Sequence, residues 1–356
     1  MFNNIYKNKK VLVTGHTGFK GTWLCLWLEI LGAKVVGYSI DIPTKPSLFE
    51  LINPKCVDIR SDIRDVKKLN FVVKKYKPEI IFHLAAQSIV NVSYKKTLDT
   101  YQTNVIGTVN ILESVKHNKF VKAVVAITTD KVYLNNETGK PFKETDALGG
   151  YDPYSASKAA CEIVISSYSA SFFNIKDYGK RHNTLIASVR TGNAIGGGDF
   201  AKDRLIPDFI RAMLANKDLK IRNPKAIRPW QHVLEPLCGY LMLGAKLLQG
   251  KKDFAQSWNF GPEKKDIKTV EEIVKIMCLN FDNKIKYSID KTQQPHEAHY
   301  LKLDITKAKK QLNWKPRWNI QIALNKICDW VKAYQQKQDL REVCIEQIQD
   351  FCKTKI

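Results

Sequence analysis

Three clusters of residues have types and spacings that could do chemistry. Tyr154 and Lys158 stand four apart at the start of a helical pattern, so on a helix they share one face. An ammonium beside a phenol favours the phenolate and lowers its pKa. A phenolate near neutral pH can take a proton from a hydroxyl. Alone this spacing is a weak signal, because an ordinary surface pair has it too. The second cluster is Thr128, Thr129, Asp130 and Lys131, which ends an apolar, β-branched run over Ala123–Ile127. The third is a glycine turn, Gly15, Gly18 and Gly21, between a short apolar run and an apolar helical pattern through Trp23, Leu24, Trp27, Leu28 and Leu31. Strand, glycine turn and helix is the context of a dinucleotide site: glycine lets the backbone approach a pyrophosphate, and the helix start offers free N–H groups. The spacing is G-x-x-G-x-x-G rather than G-x-G-x-x-G.

The elements that must position these groups can be read from periodicity. Lys10–Thr14, residues 33–40, a short run before Asp62, residues 79–84, Ala123–Ile127 and residues 184–190 predict strands, with helical patterns among them at 97–116 and from Lys158 to about 172. This alternation predicts an α/β fold, a Rossmann-type doubly wound parallel sheet. Gly15, Asp41, Ala85 and Thr128 all fall at carboxyl ends of strands, where such sheets bind ligands. Asp41 lies twenty residues beyond Gly21, placed to bond both hydroxyls of an adenosine ribose and to repel a 2′-phosphate; this favours NAD over NADP, with Lys45 nearby as a counter-signal. Asp62 would face the adenine or be a plain loop acid. The small residues of the Ala85-Ala86-Gln87-Ser88 turn leave room for a cofactor against the strand ends.

Residues 1–192 are expected to form the cofactor domain with the catalytic residues. Residues 193–356, where regular alternation stops, are expected to form a smaller mixed α/β substrate lobe, with a soft boundary the chain can cross more than once. Arg204, Arg222, Arg228, His296 and His299 are the candidate anion contacts of that lobe.

Composition narrows the partners. Among 356 residues the formal net charge is +22, which raises nucleic acid, anionic membranes or phosphorylated ligands. The lysines are scattered, often in pairs such as Lys9-Lys10, with no basic-aromatic module, so no nucleic-acid partner is expected. No apolar run reaches membrane-spanning length, and no membrane partner is expected. The eight cysteines show no C-x-x-C pair and no zinc spacing; Cys25, Cys161, Cys238, Cys278 and Cys328 read as buried thiols, and no metal is expected. The polar, lysine-rich start lacks an apolar h-region, so a cytoplasmic location is expected.

Several stretches together resemble a known family. GHTGFKGTWL from Gly15, PSLF from Pro46, GGYDPYS from Gly149, GGGD from Gly196, KDRLIP from Lys202, IRPWQHVLEP from Ile227 and HEAHYLKLD from His296 are similar to the nucleotide-sugar 4,6-dehydratases of the extended short-chain dehydrogenase/reductase group, over nearly the whole chain. In members acting on dTDP-glucose an Asp-Glu pair follows the threonine. Here it is Asp130-Lys131, as in the members acting on CDP-glucose, so CDP-glucose is the expected substrate. The loop between Leu134 and Glu144 is shorter and less aromatic than in enterobacterial members.

The resemblance implies an NAD-dependent hydro-lyase making a 4-keto-6-deoxy sugar for surface polysaccharide. Tyr154 would take the C4 hydroxyl proton, Thr129 would hold that hydroxyl, and Lys158 would lower the tyrosine pKa and hold the ribose. Asp130 would protonate the departing C6 hydroxyl, and Lys131 would serve as the C5 base or only as a stabilising charge. It implies cofactor contacts from Gly15, Thr17, Gly18, Phe19, Lys20, Gly21, Asp41, Asp62, Ile63, Ala85, Ala86, Gln87 and Asn104 as well as Tyr154 and Lys158. Substrate contacts would come from Ser88, Asn193, Arg204, Arg222, Arg228, His296 and Tyr300, with Arg228 on the diphosphate. It also implies a homo-oligomer, a dimer or tetramer, paired through helices near 97–116 and 154–172. Two other readings stay open: a nucleotide-sugar 4-epimerase, which needs no acid–base pair to eliminate water, and a dehydratase for a GDP- or dTDP-linked hexose or a heptose.

Overall fold

The apolar runs are strands buried on both faces, their side chains alternating between two cores, and only the edge strand Val57–Arg60 is largely exposed. In the computed structural model, which describes residues 2–281, 285–290 and 300–354, these strands are β1 (Lys10–Thr14), β2 (Lys34–Ser39), β3 (Val57–Arg60), β4 (Ile80–His83), β5 (Ala123–Ile127) and β6 (Leu185–Thr191). Val11, Val13, Ile80, Phe82, Val125 and Ala187 point into one core, shared with the helices Phe19–Ile30, Leu234–Leu248, Ile320–Gln335 and Leu340–Lys353. Leu12, Ile81, Val124 and Ile186 point into the other, with the helices Val66–Tyr76 and Gly107–Lys116 and with Ile165 of the helix Pro153–Ser171. A period of two with both faces apolar is what a parallel sheet covered on both sides requires.

All pairings in this sheet are parallel, and the strand Ser257–Phe260 completes it beside β6. The order is Ser257–Phe260, β6, β5, β4, β1, β2, β3, the expected doubly wound parallel sheet. Successive strands build outward in opposite directions from β1 and β4, which opens a crevice at their carboxyl ends. The chain thus returns to the main sheet in its second half. Helix Leu234–Leu248 packs on β5 and β6, and helix Leu340–Lys353 packs on Phe19–Ile30.

Between these returns, residues 193–290 form short two-stranded pairings beside the crevice: Ala194–Ile195 with Gln231–His232, Leu219–Ile221 with Tyr287–Ile289, and Ile227–Arg228 with Lys268–Thr269. They carry Asn193, Arg222 and Arg228 to its wall. The helical run expected at 97–116 is present in three parts: Thr97–Tyr101, a wider π-type turn at Gln102–Ile106, and Gly107–Lys116. Inside that turn Asn104 is buried and faces Ser157. Cys25, Cys161, Cys238, Cys278 and Cys328 are buried free thiols. Among the described residues no helix is long and apolar enough to cross a membrane, and no cluster of side chains could hold a metal ion.

Candidate active site

The crevice is a cleft of about 1080 Å³ whose wall joins the glycine turn, the ends of β2, β4, β5 and β6, and residues 192–228. At one side lies the glycine turn. Gly15 has φ +72°, and a Cβ there would stand 2.8 Å from the backbone nitrogen of Ala85. A Cβ on Gly21 would strike the carbonyl of Gly15. Both positions therefore require glycine. Helix Phe19–Ile30 begins at Gly18 in extended conformation with no side-chain cap, so its first N–H groups face the cleft free to bind an anion. Thr17 fastens the turn to β2, its hydroxyl donating to the Asp41 carbonyl at 2.6 Å.

The Asp41 carboxylate is exposed on the rim and makes no hydrogen bond or ion pair among the described residues. Asp62 also lines the cleft, but its carboxylate is held by Arg64 at 2.6 Å, which depresses its pKa. Ile63, Ala85, Ala86 and Phe19 are wall residues. Gln87 and Asn104 are not. They brace each other behind the wall, the Gln87 N–H donating to Asn104 at 2.9 Å, and Asn104 donating to Ser157 at 2.8 Å. Free helix N–H groups, an unpaired acid beyond β2 and glycines that admit a close ligand form a set that fits a dinucleotide.

At the centre, the end of β5 places Thr129, Asp130 and Lys131 beside helix Pro153–Ser171. Asp152 caps that helix, accepting from the Ser155 N–H at 2.9 Å, and Pro153 presets its first turn. Tyr154 and Lys158 follow on its buried face. The Thr129 hydroxyl donates to Asp130 Oδ1 at 3.0 Å, and Thr129 also hydrogen-bonds Tyr154. Asp130 Oδ2 is buried without a partner among the described residues. The Lys131 amine, still partly exposed, stands 3.7 Å from Asp130 Oδ1.

The tyrosine differs from its expected state. Burial pushes the Tyr154 phenol up to about 12; the Thr129 hydroxyl opposes this, and Asp130 adds to it. The Lys158 amine donates to the Ile127 carbonyl at 3.1 Å and is not among the groups that set this shift. Burial in turn lowers the Lys158 pKa.

Four arginines, Arg204, Arg211, Arg222 and Arg228, reach the cleft wall from residues 204–228. Burial works against the charge of Arg204, but Asp199 at 3.0 Å outweighs it and raises its pKa. Its other nitrogen donates to Ser88 Oγ at 3.0 Å. Arg222 pairs with Asp203 at 3.7 Å, and Arg228 is buried against its own strand. Tyr300 lies outside this wall, its backbone bridged to Ile227. His296 and His299 lie outside the described residues.

Sequence reading missed the support of this centre. Glu162 continues the stripe of Tyr154 and Lys158 by one more turn. It is buried, accepts from Thr128 at 2.5 Å and Ser188 at 2.7 Å, and pairs with Arg190 at 2.8 Å. The repeat of four was the available signal. Asp199, which holds Arg204, and Thr191, which accepts from Lys20 at 3.2 Å, had none.

Comparison with known proteins gives the family and the fold. Residues 12–327 match the family model described as GDP-mannose 4,6 dehydratase. The chain is 49% identical to the CDP-glucose 4,6-dehydratase of Salmonella typhimurium, over 98% of this chain and 97% of that protein. It is 28% identical to the dTDP-glucose 4,6-dehydratase of Haemophilus influenzae, over 90% and 97%. The crystal structure of dTDP-glucose 4,6-dehydratase from Bacillus anthracis in complex with NAD shares the fold with TM-score 0.74 at 23% identity, covering 93% of this chain and 98% of that one. The chain belongs to the GDP-mannose 4,6 dehydratase family, the nucleotide-sugar 4,6-dehydratases.

Proposed function

We propose that the protein is an NAD-dependent hydro-lyase that converts CDP-glucose to CDP-4-dehydro-6-deoxyglucose, a step in making deoxysugars for surface polysaccharide. The observation that carries this reading is the Asp130–Lys131 pair beside Thr129 and Tyr154, with one buried carboxylate oxygen unpartnered among the described residues. A 4-epimerase has no use for an acid and a base placed together. The near full-length similarity to a protein named for CDP-glucose supports the choice of nucleotide sugar.

NAD, when bound, accepts the C4 hydrogen with its electron pair, keeps it, and gives it back at C6. The glycine turn and the start of helix Phe19–Ile30 would hold its diphosphate, and Asp41 its adenosine ribose. Thr129 positions the C4 hydroxyl, and Tyr154 would take its proton as the phenolate, which the cationic charge of the bound oxidised cofactor and of Lys158 would favour over the phenol. The resulting ketone makes the C5 proton acidic, and Lys131 removes it. Asp130 protonates the C6 hydroxyl, which leaves as water, and Lys131 returns the proton to C5. The proton gained by Tyr154 balances the one spent by Asp130, and Thr129, bonded to both, lies between them. Arg204, Arg222 and Arg228 form the cationic wall suited to the substrate diphosphate.

We also infer a homo-oligomer formed through helices Thr97–Tyr101 and Pro153–Ser171, which lie side by side and leave Leu98 and Ile163 exposed. Eight cysteines, none in a disulfide, fit the reducing cytoplasm.

Incubation with CDP-, dTDP-, GDP- and UDP-linked hexoses, read by mass spectrometry, tests the assignment. Loss of one water from CDP-glucose at a rate well above the other sugars is expected. An isobaric product, a sugar inverted at C4, would mean an epimerase instead.

A further inference from the structure

Asp130 and Lys131 sit in a short 3-10 turn, Asp130–Val132, between the end of β5 and an extended residue, Tyr133. Within the turn the tie is weak: the Lys131 N–H reaches Thr129 Oγ1 only at 3.4 Å. Stronger bonds hold its two ends. At the start, Thr128 donates to Glu162 Oε1 at 2.5 Å. At the far end, the Val132 carbonyl accepts from the Gly149 N–H at 2.8 Å. The Tyr133 hydroxyl accepts from Arg190 Nη1 at 3.0 Å and donates to Asn259 Oδ1 at 2.7 Å. Glu162 and Arg190 hold each other at 2.8 Å. Thr128, Glu162, Arg190 and Tyr133 thus form an unbroken clasp from one end of the turn to the other.

Glu162, Arg190 and Tyr133 are buried, and none of the three lines the cleft. The clasp is also a poor source of stability. Arg190 stands in β6, a strand buried along its whole length, where apolar side chains of similar volume would serve as well as an ion pair. What it supplies is fixed geometry. The planar guanidinium serves both arms at once, Nη2 donating also to Ser257 Oγ at 3.2 Å and Nη1 also to the Glu144 carbonyl at 3.0 Å. It lies 5.0 Å from the Tyr133 ring centre, and Phe142 stacks on that ring at 4.8 Å. The phenol is therefore held by its face as well as by its hydroxyl.

We propose that Tyr133 is a positioning residue for the elimination of water: clasped by Arg190, it sets where Asp130 and Lys131 stand relative to Tyr154. This rests on the dehydratase reading above. Oxidation at C4 uses Tyr154, fixed by its own helix, and Thr129, held at the strand end of the turn. Elimination uses Asp130 and Lys131, whose backbone is fixed from the Tyr133 end. Freeing that end moves the acid and the base away from C6 and C5 while the geometry at C4 is kept. A displacement on the order of 1 Å is worth about a hundredfold in rate.

Tyr133→Phe removes one oxygen and keeps the ring against Phe142, so it opens the clasp without opening a cavity. The NAD-loaded enzyme is given CDP-glucose and followed three ways: absorbance of reduced nicotinamide, exchange of the C5 hydrogen with deuterated water, and loss of water by mass. The first transfer should keep its rate in Tyr133→Phe. Exchange and water loss should slow together, roughly 10- to 100-fold, so that reduced cofactor accumulates. Equal slowing of all three, the mark of a generally looser fold, would overturn the proposal, and so would normal C5 exchange.

A second variant checks that the effect runs through Arg190. Glu162→Gln keeps an acceptor for Thr128 and removes the charge that orients Arg190. Either change breaks the same chain of bonds, so the double variant should lose water no more slowly than the slower single one. Losses that multiply would mean two separate supports and overturn the clasp. Should Glu162→Gln not fold, Tyr133→Phe decides alone. A wild type that removes no water from CDP-glucose would instead defeat the dehydratase reading itself.

Discussion

At the scale of single residues, the two proton-handling groups act at different carbons, and their variants should stop at different points. Tyr154 works at C4, before anything leaves. Tyr154→Phe should show no absorbance of reduced nicotinamide when substrate is added. Lys131 works afterwards, at C5. Lys131→Ala should still oxidise C4, so reduced cofactor should accumulate while dehydrated product slows on the order of 10²–10⁴-fold, the worth of a positioned base. Exchange of the C5 hydrogen with deuterated water should slow in parallel. Normal exchange in Lys131→Ala would assign the base elsewhere and leave Lys131 as a stabilising charge. The identities and spacing of these residues were legible in the sequence, because Tyr154 and Lys158 obey the helical repeat and Asp130 follows a plain strand. The state of the phenol was not. Its upward shift comes from burial against partners remote in sequence, and the direction of the Lys158 amine, toward Ile127, depends on where β5 meets the helix.

Between elements, buried polar struts hold the cleft in shape, and one of them should leave a mark on stability. Glu235, in the first turn of helix Leu234–Leu248, accepts from the backbone N–H of Arg317 at 2.9 Å and of Trp318 at 2.7 Å, while its other oxygen is buried without a partner among the described residues. Burial raises its pKa to about 8, against the two N–H bonds and the Arg317 charge, which lower it. The folded state therefore keeps a proton that the unfolded chain has lost, from the ordinary glutamate range near 4.5 up to about 8. Stability must fall as pH rises through that window, since the native state binds the extra proton. Glu235→Gln keeps an acceptor for both N–H groups and cannot ionise. Its thermal midpoint should match the wild type near the low end of the window and exceed it above the high end. Parallel curves of midpoint against pH would show that Glu235 ionises without strain. Struts of this kind were hidden from sequence reading: Glu162 finds Arg190, and Glu235 finds the chain at 317–318, only once the sheet order and the returning helices bring them together.

For the whole molecule, the parallel sheet was legible because most of its strands are short apolar runs with a turn at their end, and periodicity reports that locally. The placement of Ser257–Phe260 beside β6 was not, because nothing local says which edge a late strand joins. Assembly raises the same issue, since it depends on what the finished surface leaves uncovered. Leu98 is 70% exposed and Ile163 is 59% exposed, on two helices that pack side by side. Large apolar side chains so placed lose contact with water when a second copy covers them, at roughly 25 cal/mol per Å². The opposite sides of these same helical runs carry Tyr154, Lys158 and Asn104 into the interior. An interface here would stiffen the floor of the site without entering it. The wild type is expected to sediment as a dimer or larger, and Leu98→Asp with Ile163→Asp to sediment as a monomer with an unchanged far-ultraviolet spectrum. Because the site residues face the other way, that monomer should still bind NAD and lose activity mainly through a looser site. A wild type that sediments as a monomer, or a double variant that stays associated, would remove this face as the interface.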